Sequence, residues 1–332
     1  MITKNKSTLA LVISCLTLIL LVFVCAVPKD SLQNGTISPD NARQPHSEMH
    51  VTAPLLPDTM NFAGEPVPLD IYYVREGLDR EMIVNTYGHT NTLLYFKRAH
   101  RWFPVIEPIL KKNGVPDDFK YLCVIESGLT NATSPAKAQG FWQFIKSTGQ
   151  KYGLEINDEI DRRNDVEAAT EAACKYLKAL HNKFGNWTSA AAAYNCGENG
   201  LQNSMNKQSI NTYYDSRLNN ETTRYVYRIL AVKQIMKHPQ TYGFYLRPCD
   251  LYPTLPTRTA TLSGQNVDLY EFAKSNGTTY KVLRAYNPWI TTDKLINKAN
   301  KSYTVKLPVK NGTSLRSIRT DRDKGTEYIK SM

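Results

Sequence analysis

The stretch that decides the reading of this chain is Asp117-Asp118-Phe119-Lys120-Tyr121-Leu122-Cys123-Val124-Ile125-Glu126-Ser127-Gly128. Pro116 before it and Gly128 after it bracket a helix from Asp118 to Glu126, with Asp117 as N-cap. Phe119, Leu122 and Cys123 precede Glu126 by seven, four and three residues, so helical geometry puts its carboxyl on the apolar face. Burial disfavours the charged form and raises the pKa, which is how a glutamic acid stays protonated near neutrality and serves as a general acid. A helix-end Glu in a salt bridge is the bland alternative, and on position alone the commoner one.

Outward from this helix, Gly140-Phe141-Trp142-Gln143-Phe144 sets one amide among residues suited to an apolar wall, although such aromatic clusters are usually core. Asp165 caps a helix from Val166 to Lys183 that Gly185 stops. Trp187 to Asn195 is an alanine-rich helix ended by Gly197, and Glu221 to Lys237 is another, closed by Pro239. Between Leu78 and Leu110, Pro104 and Pro108 interrupt the apolar pattern and predict two or three helices. Nothing from 76 to 245 alternates with period two for long, so the fold class is mainly α. After Pro248, Pro253 and Pro256 the texture becomes β-α-α-β: Thr257 to Leu262, Val267 to Ser275, Thr279 to Tyr286, and Tyr303 to Pro308.

The 332 residues carry 41 Lys and Arg against 30 Asp and Glu, a formal charge of +11. No block of five or six like charges occurs, which argues against a nucleic-acid tail. Residues 251–332 hold 14 basic and 6 acidic side chains, +8 of the total. Lys4 and Lys6 precede an uncharged apolar run, Leu9 to Val27, read as an export signal whose length fits either a cleaved signal peptide or a retained membrane anchor. The body of the protein is therefore expected in the periplasm or cell envelope. Residues 28–60, rich in Pro, Ser, Asn, Gln and Thr, read as a linker. The organisation is then 1–27 signal or anchor, 28–60 linker, 61–250 helical domain, 257–308 small domain, and a polar, mobile tail over 309–332. Cys123, Cys174, Cys196 and Cys249 fit disulfides or buried thiols equally. There is no CxxC and no HExxH, so neither metal nor cofactor is expected.

Five ordered motifs resemble those of the soluble-type lytic transglycosylases (SLT), glycoside hydrolase family 23, and within them the membrane-bound lytic murein transglycosylase D group. They are Glu126-Ser127-Gly128-Leu129, Ser134 to Phe144, Asp161-Arg162-Arg163, Ala193-Tyr194-Asn195-Cys196-Gly197 and Glu221 to Val226. Asn61 to Glu65 and Lys97 to Pro104 extend the likeness upstream. Phe141 and Cys196 are its small departures. The resemblance implies a lysozyme-like α-helical catalytic domain that cleaves the β-1,4 bond between N-acetylmuramic acid and N-acetylglucosamine in peptidoglycan, leaving 1,6-anhydro ends. It makes Glu126 the acid and base, Ser127 a residue that holds it, and Gln143, Tyr194, Asn195 and Tyr225 residues that line the cleft, with Ser134 a weaker match.

Thr259 to Gly264, Leu269 to Ala273, Leu283 to Pro288 and Val305 to Pro308 resemble a diverged LysM module, which implies N-acetylglucosamine binding. Gln265 stands where that pattern has Asp, and a plain packing domain is the competing reading. The expected partners are peptidoglycan strands, with no nucleic acid and no obligate protein partner. Two other functions stay open: a muramidase using water, with Glu198, Glu221 or Asp161 as a second carboxylate, and a non-catalytic wall-binding scaffold.

Overall fold

The structure, a computed structural model, describes residues 51–332. The export signal, Cys15, Cys25 and most of the linker lie outside the described residues. No helix among the described residues is long and apolar enough to cross a membrane.

The helix that carries Glu126 runs Phe119–Ser127, and seven consecutive residues, Phe119 to Ile125, are buried on every side. A helix buried all round belongs inside the domain, not on its surface, and its one buried charge, Lys120, is paired with Glu107 and Asp117. It packs between the long helix His89–Lys112 and the helix Asn220–Lys237. Its N-cap position is Asp118, one residue later than the sequence predicts, and the Asp118 side chain makes no capping bond. Its carboxylate instead accepts from Lys233 Nζ at 2.6 Å and Ala63 N at 2.7 Å. A lysine only 6% exposed needs a counter-charge more than the helix needs a cap.

Around this centre stand Tyr72–Tyr87, Val166–Phe184, Trp187–Cys196 and Glu198–Gln208. The interrupted pattern before residue 112 resolves into two helices, Tyr72–Tyr87 and His89–Lys112, parted at Gly88. Pro104 and Pro108 lie inside the second, one turn apart, with both rings exposed. Asp165 caps Val166–Phe184 as expected, accepting from Glu167 N and Ala168 N. A two-residue hairpin, Asn61–Phe62 against Glu65–Pro66, closes the domain from outside. Phe62 packs edge-on against Phe119, and the Glu65 carboxylate caps Trp187–Cys196 through Trp187 N and Thr188 N. The domain begins before residue 61, because Leu56 and Met60 pack on its core and Tyr242 Oη donates to the Leu55 carbonyl.

Thr257–Leu262 pairs antiparallel with Tyr303–Pro308, from Thr257↔Pro308 to Leu262↔Tyr303. Between them lie Leu269–Ser275, capped by Asp268, and Tyr280–Tyr286, capped by Thr279. Val267–Asp268 and Lys294–Leu295 add a second short ladder that the sequence pattern did not reveal. Ile160, from the helical domain, is 1% exposed and sits in this module's core with Leu269, Leu283 and Ile290. Asp161 N donates to the Trp289 carbonyl at 2.7 Å, Thr291 N to the Glu159 carbonyl at 2.8 Å, and the Arg162 guanidinium lies 3.6 Å from the Trp289 ring centre.

The polar segment after Val309 does not trail away. Ile329 N donates to the Leu246 carbonyl and Met332 N to the Met236 carbonyl, while Asp323 lies 3.7 Å from buried His100. Short apolar contacts of Ile329 and Met332 with the core hold a stretch whose composition predicted mobility. Cys123, Cys174, Cys196 and Cys249 are all free thiols, the first two buried.

One backbone contact fixes the loop before Lys146. Gly140 has φ +82°, and a Cβ there would fall 1.8 Å from the Arg163 carbonyl oxygen. Gly140→Ala is expected to cost about 3 kcal/mol or more. Gly185→Ala, at φ +75° with open space around it, should cost about 1 kcal/mol. Urea unfolding of both variants checks the contrast, and equal losses would show that the Arg163 contact is not the constraint.

Candidate active site

Glu126 is the last residue but one of its helix, so its side chain leaves the core where the helix opens toward the surface. Gly128 ends the helix in the left-handed region, at φ +59°, with its N–H on the Val124 carbonyl. Two guanidinium groups cover the exposed carbonyls of that end: Arg228 Nη2 donates to Ile125 O and Arg98 Nη1 to Gly128 O, each at 3.0 Å.

Burial is the largest influence on the Glu126 carboxyl and pushes its pKa from 4.5 up to about 7. The Tyr225 hydroxyl donates to Oε1 and pulls the value down, as does the charge of Arg228, while the charge of Glu221 pushes it up. The residue is half-buried, so the carboxyl is at once desolvated and reachable. Tyr225 is 1% exposed and its own hydroxyl is held well above 10 by burial, so it stays a donor.

Ser127 turns away from the cleft. Its hydroxyl donates to the Phe141 carbonyl at 2.9 Å and accepts from Leu129 N at 3.1 Å, tying the helix end to the loop Ser134–Phe144. Gln143 has φ +48°, and its amide nitrogen donates to the carbonyls of Ala132 (2.9 Å) and Gly140 (2.8 Å). Its neighbours Phe141, Trp142 and Phe144 are core, at 3%, 0% and 3% exposure, with Trp142 Nε1 on Thr170 Oγ1. The aromatic cluster is thus wall backing, and half-buried Gln143 is the polar residue set among it.

Tyr194 donates to the Trp142 carbonyl at 2.7 Å, and the carboxyl of Glu126 acts on its hydroxyl electrostatically. Asn195 accepts from Thr222 Oγ1 at 2.8 Å and donates to Glu221 at 3.1 Å, which joins the Trp187–Cys196 helix to the Asn220–Lys237 helix. Of these residues Glu126 and Tyr225 bond each other directly, Ser127, Gln143 and Tyr194 each bond a backbone carbonyl in or beside the loop Ser134–Phe144, and Asn195 bonds Glu221 and Thr222 at the start of the helix that carries Tyr225. Ser134 is not among them. Its hydroxyl accepts from Ala138 N at 3.0 Å and holds the turn around Lys137.

The three candidate second carboxylates separate. Asp161 is 6% exposed and both oxygens are taken by Arg163. Glu198 lies 4.0 Å from Lys183. Glu221 alone of the three acts on Glu126. Sequence reasoning missed Arg228 and Arg98, and it read Tyr176 as core. Tyr176 stacks on Tyr152 with ring centres 4.9 Å apart and continues to Tyr194 at 5.1 Å, walling a cavity of about 280 Å³ beside Cys196 and Glu198. Spacing placed Tyr176 on the helix stripe, and no local signal showed that the stripe ends at the cleft. Among the described residues no group of three or more His, Cys, Asp and Glu is disposed to hold a metal ion.

An acidic group desolvated beside a donor, set on a buried helix and faced by tyrosines and amides, is the equipment of a glycan-cleaving site. Residues 103–215 match the family model of the transglycosylase SLT domain, and residues 258–311 that of the soluble lytic transglycosylase C-terminal LysM-like domain. The chain carries a lysozyme-like SLT helical domain followed by a LysM-like domain. It is 30% identical over 268 residues, 78% of its length, to the membrane-bound lytic murein transglycosylase D of Escherichia coli strain K12, and equally to that of strain O6:H1. The chain spans 57% of the length of these relatives. The SLT match contains Glu126, Ser127, Ser134, Gln143, Tyr194 and Asn195 and ends before Tyr225.

The raised pKa makes a stability prediction. Below pH 4.5 the carboxyl is protonated folded and unfolded, and burial costs no ionisation. As pH rises to about 7 and beyond, the folded state must either hold a proton or bury a charge, a penalty of about 3 kcal/mol. Glu126→Gln should therefore match the wild type near pH 4.5 and exceed it by about that much at pH 8, read from urea unfolding at both pH values. A difference independent of pH would mean that the carboxyl is well solvated.

Proposed function

We propose that this protein is a peptidoglycan lytic transglycosylase of the cell envelope, cleaving the β-1,4 bond from N-acetylmuramic acid to N-acetylglucosamine. The desolvated Glu126 carboxyl carries the reading. Held protonated near neutrality, it gives its proton to the glycosidic oxygen as the bond breaks. The resulting carboxylate takes the proton of the muramoyl 6-hydroxyl, whose oxygen bonds to the anomeric carbon and closes the 1,6-anhydro ring. Atoms balance without water, and one carboxylate suffices because the attacking hydroxyl is already part of the substrate, with a large effective concentration. Tyr225 orients the carboxyl, Ser127 fixes the helix end, and Gln143, Tyr194 and Asn195 line the cleft.

Export through residues 1–27, retention in the membrane through the apolar run Leu9 to Val27, and N-acetylglucosamine binding by the LysM-like domain belong to the same reading. The E. coli relatives are membrane-bound by name. The muramidase reading is narrowed to Glu221, whose charge acts on Glu126.

Mass spectrometry of a purified-wall digest separates these. Anhydro-muramoyl ends support transglycosylation, and products heavier by one water would overturn it in favour of Glu221 and hydrolysis. Glu126→Gln should lower turnover on the order of 10²–10⁴-fold. Lysis that persists in that variant removes Glu126 from the reaction. Activity should fall as pH rises through about 7, since the acid form is lost. Tyr225→Phe deletes a bond that lowers the pKa, so its alkaline limb should move to higher pH, and a limb that moves down would contradict the assigned hydrogen bond.

A further inference from the structure

The loop that presents Gln143 to the cleft has a second side. There Thr133, Lys137, Gln139, Lys146, Ser147, Gln150 and Arg163 border an open cavity of about 710 Å³, within the usual range of ligand sites, roughly 300–1,000 Å³. No carboxylate borders it. Arg163 is neutralised by Asp161 at 2.6 Å, but among the described residues neither the Lys137 nor the Lys146 ammonium has an ion-pair partner, and both side chains are exposed. The cavity is thus lined by two uncompensated positive charges and a ring of hydroxyl and amide groups.

Its placement is built, not incidental. Lys137 stands at φ +60°, a region that a lysine enters at a cost. Two contacts hold it there: Ser134 Oγ accepts from Ala138 N, and Arg163 Nη1 donates to the Lys137 carbonyl at 3.0 Å. The same Arg163 Nη1 donates to the Phe144 carbonyl at 3.1 Å, and Gln139 N bonds the Phe144 carbonyl on the other strand of the loop. Lys137 and Gln143 therefore stand on one loop held by Arg163, and Lys146, three residues beyond Gln143, opens the helix that follows it.

We propose that this cavity is a carboxylate subsite for the peptide branch of a muramoyl residue, with Lys137 and Lys146 as its specificity-determining residues and Ser134 as the positioning residue that holds Lys137. The assignment rests on the peptidoglycan reading, in which every muramoyl residue bears a lactyl group that carries a short peptide ending in free carboxylates.

The test uses the full chain with Lys137→Asn and Lys146→Gln combined; asparagine tolerates the left-handed backbone at 137. On glycan strands that bear their peptides, kcat/KM should drop about fivefold, chiefly through KM, consistent with two exposed ion pairs. On strands stripped of peptides by an amidase it should stay within about twofold of the parent. The peptide-dependent loss should shrink at high salt, and Lys146→Arg should retain activity. Equal losses on both substrates, or no loss on either, overturn the subsite. Binding of a synthetic acidic tetrapeptide to Glu126→Gln, with and without the lysine substitutions, tests the cavity apart from the reaction. An affinity indifferent to both lysines refutes it, whereas absence of anhydro ends from the wild-type digest refutes the proposed reaction and leaves that titration standing.

Discussion

The buried guanidinium of Arg163 is the point on which the candidate site hangs. It is 6% exposed, paired through three contacts with Asp161, and donates to the carbonyls of Lys137 and Phe144. A buried ion pair is not in itself a source of stability, since desolvation offsets much of the attraction. Its value here is geometric. The planar fork meets one carboxylate and two loop carbonyls at once, and so fixes a loop with non-glycine residues at positive φ on both sides of Gly140. Asp161 in turn bonds the C-terminal module through its own N–H, and Ser127 bonds the same loop from the side of Glu126.

That arrangement explains how a short helix can hold a perturbed acid. Seven buried residues leave the Phe119–Ser127 helix no freedom to rotate its last turn. Glu126 emerges where water is scarce, with Tyr225 the one direct donor to its carboxylate among the described residues and Arg228 near enough to temper the burial. The helix end also points its negative dipole at the carboxyl, which favours the protonated form as burial does. The hydroxyl groups of Tyr194 and Tyr225 are themselves kept protonated by burial, so they stay donors.

Legibility in the sequence followed locality. Asp165 with Gly185 announced a helix through capping chemistry that acts within a few residues, and its boundaries agree within one residue. The carboxyl of Glu126 was readable as core-adjacent from a period of three and four. What failed depends on distant partners. Pro104 and Pro108 read as breaks because their tolerance comes from both rings facing solvent. The N-cap expected at Asp117 falls at Asp118, whose carboxylate caps nothing because Lys233, 115 residues away, holds it. Glu198–Gln208 was missed because only Leu201 and Met205 are buried along it. The tail was read by composition, whereas Met236 and Leu246 hold its backbone. Ser134 was grouped with cleft residues by motif, and its hydroxyl serves a turn instead.

Ile160 belongs by sequence to the helical domain and by packing to the core of the LysM-like module. A residue that completes another domain's interior makes the two domains thermodynamically inseparable: loss of either one opens a cavity in, or withdraws backbone partners from, the other. The pair should therefore melt as one cooperative unit, and changes in the C-terminal module's core are transmitted to the loop Ser134–Phe144 through Asp161 and Arg163 and not through a flexible hinge.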